Sequence, residues 1–219
     1  MNQINPENGD IHAHGFFGPE PMTVLTDVLL AAVAIFFGAR IYGVSAAPVH
    51  FYFALSFFLI ALGALAGATI HSIRHTPLVS WVPLLWRITG IAVGTSVTAM
   101  LAATFYHILP ADYADLLRWT VLGLSIIYAA WIWRDYRFRN VVVFYSICMA
   151  FVLGAMALSY VSTGSPGAKL IAVGILISFG AAAVQRSGFK LARHFNHNDI
   201  YHVIQLIGLY FFYRGALVL

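Results

Sequence analysis

Seven apolar runs, each long enough to cross a bilayer and separated by short stretches of turn chemistry, constrain this chain more than any other feature. At about 1.5 Å rise per residue, about 20 apolar residues cover a hydrocarbon core about 30 Å thick. The runs extend roughly from Met22 to Tyr42, Phe51 to His71, Trp81 to His107, Leu116 to Trp133, Val141 to Val161, Lys169 to Gln185 and Ile200 to Val218. Between them lie Ala46-Ala47-Pro48, Thr76-Pro77, Pro110-Ala111-Asp112, Arg134 to Asn140, Gly164-Ser165-Pro166-Gly167 and Arg193 to Asp199, which are breaker and turn residues. The pattern predicts an all-α integral membrane protein with seven transmembrane helices in one antiparallel bundle. That domain occupies residues 22–219 and follows a polar N-terminal segment, 1–21. Loops this short make consecutive helices antiparallel neighbours.

Composition excludes the soluble alternative. Hydrophobic residues make up 61% and charged residues 9%, whereas a soluble domain carries about 25% charged residues to wet its surface. The net charge of +4 is too small and too scattered to bind nucleic acid. One cysteine, Cys148, excludes an intrachain disulfide. The first 21 residues lack the basic start of a signal peptide, so no cleavage is expected and the first span acts as signal and anchor.

Basic residues set the orientation. The face holding the N-terminus carries Arg74, Arg87, Arg134, Arg137, Arg139, Arg186, Lys190 and Arg193, and the other carries Arg40, Arg118, Lys169 and Arg214. The positive-inside rule then puts the N-terminus in the cytoplasm and the C-terminus outside, and a bacterial inner membrane is the expected location.

Polar residues gather at the same cytoplasmic end. His12, His14, His71, His75, His194, His197 and His202 fall there, against only His50 and His107 at the other. Asp27, Arg87, Asp199 and Gln205 share that depth. Ionisable groups within a span are costly and usually face the bundle interior or a wet cavity. A polar pocket opening toward the cytoplasm is therefore expected. In the seventh span Asn198, His202 and Gln205 share a helical face, and Asp199 can cap the helix start. In the second span Gly63, Gly67, His71 and His75 form one stripe, with His71 a turn deeper than His75. Arg87 needs a carboxylate or carbonyl partner, and Asp27 and Asp199 are the carboxylates at its depth. The Gly90 and Gly94 positions beyond it read as helix packing.

Ala68-Thr69-Ile70-His71 in the second span and Asn198-Asp199-Ile200-Tyr201-His202, followed by an apolar run ending Tyr213-Arg214-Gly215, resemble motifs of the CREST superfamily. That group comprises alkaline ceramidases, progestin and adipoQ receptors and hemolysin III-like proteins. Its pattern is Ser-x-x-x-His in the second span, Asp in the third and His-x-x-x-His in the seventh. Here Gly67 stands at the serine position, Arg87 falls near that of the aspartate, and Asn198 replaces the first histidine of the pair.

The resemblance implies a zinc-dependent intramembrane hydrolase acting on a lipid or amide. Zinc would bind His71, His202 and a third ligand, His197 or Asp199. Asp27 or Asp199 would accept a proton, and Arg87 or Asn198 would stabilise the oxyanion. The same pocket also suits a non-catalytic receptor or sensor for a small or anionic lipid ligand. A third reading is haem-based electron transfer with His71 and His202 as axial ligands. The partners expected are membrane lipid and a lipid or amide substrate, not nucleic acid. The sequence sets no oligomeric state.

Overall fold

The computed structural model describes residues 20–189, 191 and 196–219. His12, His14, Lys190, Arg193 and His194, counted above on the cytoplasmic face, lie outside the described residues, as does most of the polar N-terminal segment.

Those described residues form seven α-helices: α1 (Pro21–Tyr42), α2 (Pro48–Ile73), α3 (Val82–Ile108), α4 (Ala111–Arg134), α5 (Phe138–Thr163), α6 (Pro166–Ser187) and α7 (His197–Ala216). A 3₁₀ turn over Pro77–Trp81 leads into α3. Boundary chemistry explains the starts and stops. Proline opens α1, α2 and α6, where its missing N–H costs nothing. The left-handed Gly164 (φ 72°) and Gly188 (φ 68°) close α5 and α6. Five helices start three or more residues earlier than in the sequence reading: α2, α5, α6 and α7 by three, and α4 by five. The α4 helix starts five residues earlier, at Ala111, because Pro110 can only precede it. The α7 helix starts at His197, because Asn196 caps it, so His197, Asn198 and Asp199 form its first turn.

Six of the helices, α1 to α6, are long and apolar enough to cross a membrane, the third together with its 3₁₀ lead-in. The α7 helix falls outside that set; it carries two His, two acid or amide residues at its start, Gln205 and Arg214.

The helices pack as a ring in the order α1, α2, α3, α5, α6, α7 and back to α1. The α4 helix stands outside it against α3 and meets α5 near their shared end, where Tyr128 stacks on Phe144 at 4.0 Å. The expectation that all consecutive helices are packed neighbours thus bends at α4 and α5, which both use α3 as their main support. Inside the ring Phe53, Phe57, Met100, Met149, Met156, Ile171 and Phe212 are fully buried. Small residues set the approach distances. A Cβ on Gly215 would lie 2.9 Å from the Gly167 carbonyl oxygen, and one on Gly167 would lie 2.9 Å from the Gly215 carbonyl oxygen. The backbones of α6 and α7 therefore touch at the end of α7 opposite its polar turns.

Candidate functional site

One face of α1 carries Glu20, Thr23, Thr26 and Asp27, spaced so that they line up along the helix. The facing turns of α7 carry Asp199, His202 and Gln205, and all three are buried. Across this seam the Thr23 hydroxyl donates to Asp199 Oδ1 at 2.8 Å. Thr26 Oγ1 lies 2.9 Å from His202 Nδ1, and the other ring nitrogen, Nε2, lies 3.3 Å from Asp27 Oδ1. A hydroxyl, an imidazole and a carboxylate therefore stand in one hydrogen-bonded row. Thr26 and Asp27 are each 5% exposed and His202 is 8% exposed.

Counting protons shows what the row can do. The Thr26 hydroxyl has one hydrogen and two acceptors in range, the Thr23 carbonyl at 3.1 Å and His202 Nδ1. If it donates to the carbonyl, Nδ1–H donates to Thr26, and Nε2 and Asp27 share a further proton. If it donates to Nδ1 instead, Nε2–H donates to an Asp27 carboxylate. The second arrangement holds one proton fewer than the first. Gain or loss of one proton therefore moves hydrogens along the whole row and decides whether the Thr26 hydroxyl points at a base.

The surroundings fix the row in place. Asp199 Oδ2 accepts the Asn196 backbone N–H at 2.7 Å, completing a capping box, so Asp199 is the reciprocal partner of the cap while Asn196 is the cap itself. Gln205 donates to Ser178 Oγ of α6 at 3.1 Å. The Asp27 carboxylate fills space that a side chain at position 67 would need: a Cβ there would lie 3.2 Å from Oδ2.

His71 belongs to a second, outer pair. Its Nδ1 lies 2.5 Å from Glu20 Oε2, which also receives Arg74 Nη1 at 3.3 Å. Partial burial pushes the Glu20 carboxyl up, but the hydrogen bond and charge of His71, with Arg74 beside them, outweigh it and hold Glu20 below its ordinary value. Two carboxylate–imidazole pairs thus sit at one end of α1, the outer partly exposed and the inner sealed.

Three expected site residues stand elsewhere. Arg87 pairs with neither Asp27 nor Asp199. Its Nε donates to the Trp133 carbonyl at 3.0 Å and its guanidinium lies 4.4 Å above the Tyr136 ring, so the α3–α4 corner satisfies it with carbonyls and aromatic faces. Asn198 turns outward to accept a hydrogen bond from Gln185 of α6 at 3.1 Å. His197 has a buried Nδ1 with no hydrogen-bond partner among the described residues, and it makes no contact with the row that the structure records.

The zinc set does not assemble. Among the described residues no group of three or more His, Cys, Asp or Glu side chains could hold a metal ion. Both nitrogens of His202 face protein partners, Thr26 Oγ1 at 2.9 Å and Asp27 Oδ1 at 3.3 Å. The sequence reading missed Glu20, Thr23 and Thr26. The signal was present: Thr23, Thr26 and Asp27 follow the i, i+3, i+4 spacing of a single helical face.

No curated protein and no solved structure matches the chain. A family model described as a family of unknown function matches residues 22–219. That span covers all seven helices and both acid–imidazole pairs except Glu20. The chain therefore belongs to the family of unknown function DUF6962.

Proposed function

We propose that the protein is a metal-independent intramembrane hydrolase acting on a lipid ester or amide, with Thr26, His202 and Asp27 as its reacting row. The observation that carries this reading is the order hydroxyl–imidazole–carboxylate, the order by which hydrolases make a hydroxyl nucleophilic. Thr26 Oγ1 attacks the substrate carbonyl carbon and gives its proton to His202 Nδ1, while Asp27 balances the imidazolium at Nε2. The leaving alcohol or amine takes that proton, and an acyl ester remains on Thr26. Water then attacks the ester with Nδ1 as base, which releases the acid and restores the hydroxyl. Asp199 holds the start of α7 in register through Thr23, and Glu20 with His71 forms the outer, partly exposed pair at the same end of α1. Because Thr26 is nearly unexposed, substrate reaches it when the α1–α7 seam parts.

Topology follows the same reading. The α7 helix has 20 residues, about 30 Å at the helical rise, and it is hydrogen-bonded to α1 at membrane depth, which supports a seventh span. Arg74, Arg134, Arg137, Arg139 and Arg186 at the Glu20 end support a cytoplasmic N-terminus.

The sealed geometry favours a second reading, in which the same row senses a proton or a small lipid without turnover. The two separate on one experiment. Purified protein in liposomes is offered long-chain esters and N-acyl amides, and released fatty acid is measured by mass spectrometry. Hydrolysis that survives a chelator and disappears in Thr26→Ala supports the hydrolase. Absence of product across the panel removes it and leaves the sensor.

A further inference from the structure

At the opposite end of the bundle, α2 and α4 both lean on α3 and scarcely touch each other. The gap has two connected parts that share Tyr52 and Arg118. The first, about 680 Å³, sits at the helix ends under the α1–α2 loop and is walled by Tyr42, Ser45, Tyr52 and Tyr106 with Arg118 as its one charged lining residue. The second, about 380 Å³, runs down between the helices over Leu55, Ala99, Ala102 and Leu122. Its floor is small because α3 offers only Thr95, Thr98, Ala99 and Ala102 there. From Arg118 to Ser125 it extends about 10 Å along α4, at about 1.5 Å per residue.

The chemistry changes along this length as it does along a lipid. Arg118 stands two turns inside α4, where a guanidinium facing hydrocarbon is costly. Asp115 takes one of its nitrogens at 3.4 Å, and the same carboxylate accepts the Tyr106 hydroxyl at 2.5 Å. The guanidinium also lies 5.1 Å from the Trp119 ring centre. Because Arg118 lines the polar chamber, its planar donor fork is available to a phosphate or carboxylate there. Snorkelling would let Arg118 meet any headgroup. The apolar channel directly beneath it, with no side chain to fill it, is what distinguishes a site from a surface contact.

We infer that the gap between α2 and α4 is a binding site for one acyl lipid with an anionic headgroup, the head at Arg118 and Tyr52 and a chain along α3. The site is independent of the Thr26 row, which lies at the other end of the bundle.

The test uses the full chain, delipidated in detergent, with palmitoyl-oleoyl phosphatidylglycerol, the matching phosphatidylcholine and inorganic phosphate as probes, read by native mass spectrometry. The wild type should retain one phosphatidylglycerol per chain at least tenfold better than phosphatidylcholine, and excess phosphate should not displace it. Arg118→Gln should reduce phosphatidylglycerol to the phosphatidylcholine level. Thr95→Phe, which blocks the channel from a half-buried wall position, should lose both lipids while its melting temperature stays near wild type. Equal retention of the two lipids by wild type, displacement by phosphate, or full retention in a folded Thr95→Phe would overturn the site.

Discussion

Gly67 and Asp27 occupy one niche: the carboxylate that α1 sends toward His202 fills the volume where α2 would otherwise carry a side chain. A Cβ on Gly67 would meet Asp27 Oδ2 at 3.2 Å and Oδ1 at 3.6 Å. The glycine at position 67 is thus explained by its neighbour, because a larger residue and this aspartate pose cannot coexist unstrained.

Substitution at Gly67 should therefore act on the row before it acts on the fold. Gly67→Ala moves Asp27 by a few tenths of an ångström, while alanine gains about 1 kcal/mol of helix propensity. Its melting temperature should stay within a few degrees of wild type while hydrolysis falls about tenfold, a change of about 1.4 kcal/mol in the barrier. Gly67→Leu should lose both. Unchanged hydrolysis in Gly67→Leu would show that the niche has no bearing on the row.

Asp199 is a stability residue with two dependants, the Asn196 N–H and the Thr23 hydroxyl. Asp199→Ala leaves both without an acceptor in a buried seam and should cost about 2–4 kcal/mol. Asp199→Asn keeps one acceptor and should cost about half as much. Thermal unfolding in detergent measures both, and a near-neutral Asp199→Ala would mean that the α1–α7 seam is held by packing alone.

The outer pair gives a pH signature. Glu20 titrates below its ordinary 4.5 in the folded protein. Its contribution to stability is therefore complete above that ordinary value and is lost as pH falls through the depressed one. The melting temperature should be flat from pH 7 to pH 5 and decline below about 4.5, with a smaller decline in Glu20→Gln. An identical decline in wild type and variant would remove Glu20 as its source.

Packing of α4 on α3 depends on Gly94. A Cβ there would fall 2.1 Å from the Tyr128 ring, whose hydroxyl donates to the Gly90 carbonyl at 2.7 Å. Gly94→Ala should destabilise by about 2–3 kcal/mol through overpacking. Tyr128→Phe, which loses only the hydrogen bond, should cost about 1 kcal/mol. Thermal unfolding ranks the two, and the reverse order would contradict this packing.

The helices were legible in the sequence because length and apolarity act locally: each run announces its own span. Which helices touch was not, since ring order and the displaced α4 depend on where small residues such as Gly94, Gly167 and Gly215 allow close approach. The site was legible at its charged members. Asp27, His71, Asp199 and His202 were placed at one depth from spacing and turn positions alone. Thr23 and Thr26 were not noticed because threonine within a span usually bonds its own backbone, and only the partner helix reveals a second role. Arg87 is the opposite case, since a cation within a span calls for a carboxylate or a carbonyl, and only the folded α3–α4 corner shows that carbonyls and aromatic faces serve it.

The most direct measurement uses a lipid-tailed fluorophosphonate, which bonds covalently to a hydroxyl made nucleophilic by a neighbouring base. Peptide mapping after reaction in liposomes should place the adduct on Thr26 in wild type, with labelling lost in His202→Ala and reduced at least tenfold in Asp27→Asn. No adduct on Thr26, or equal labelling when Asp27 or His202 is replaced, would contradict the reacting row and reduce it to a tether between the first and last helices.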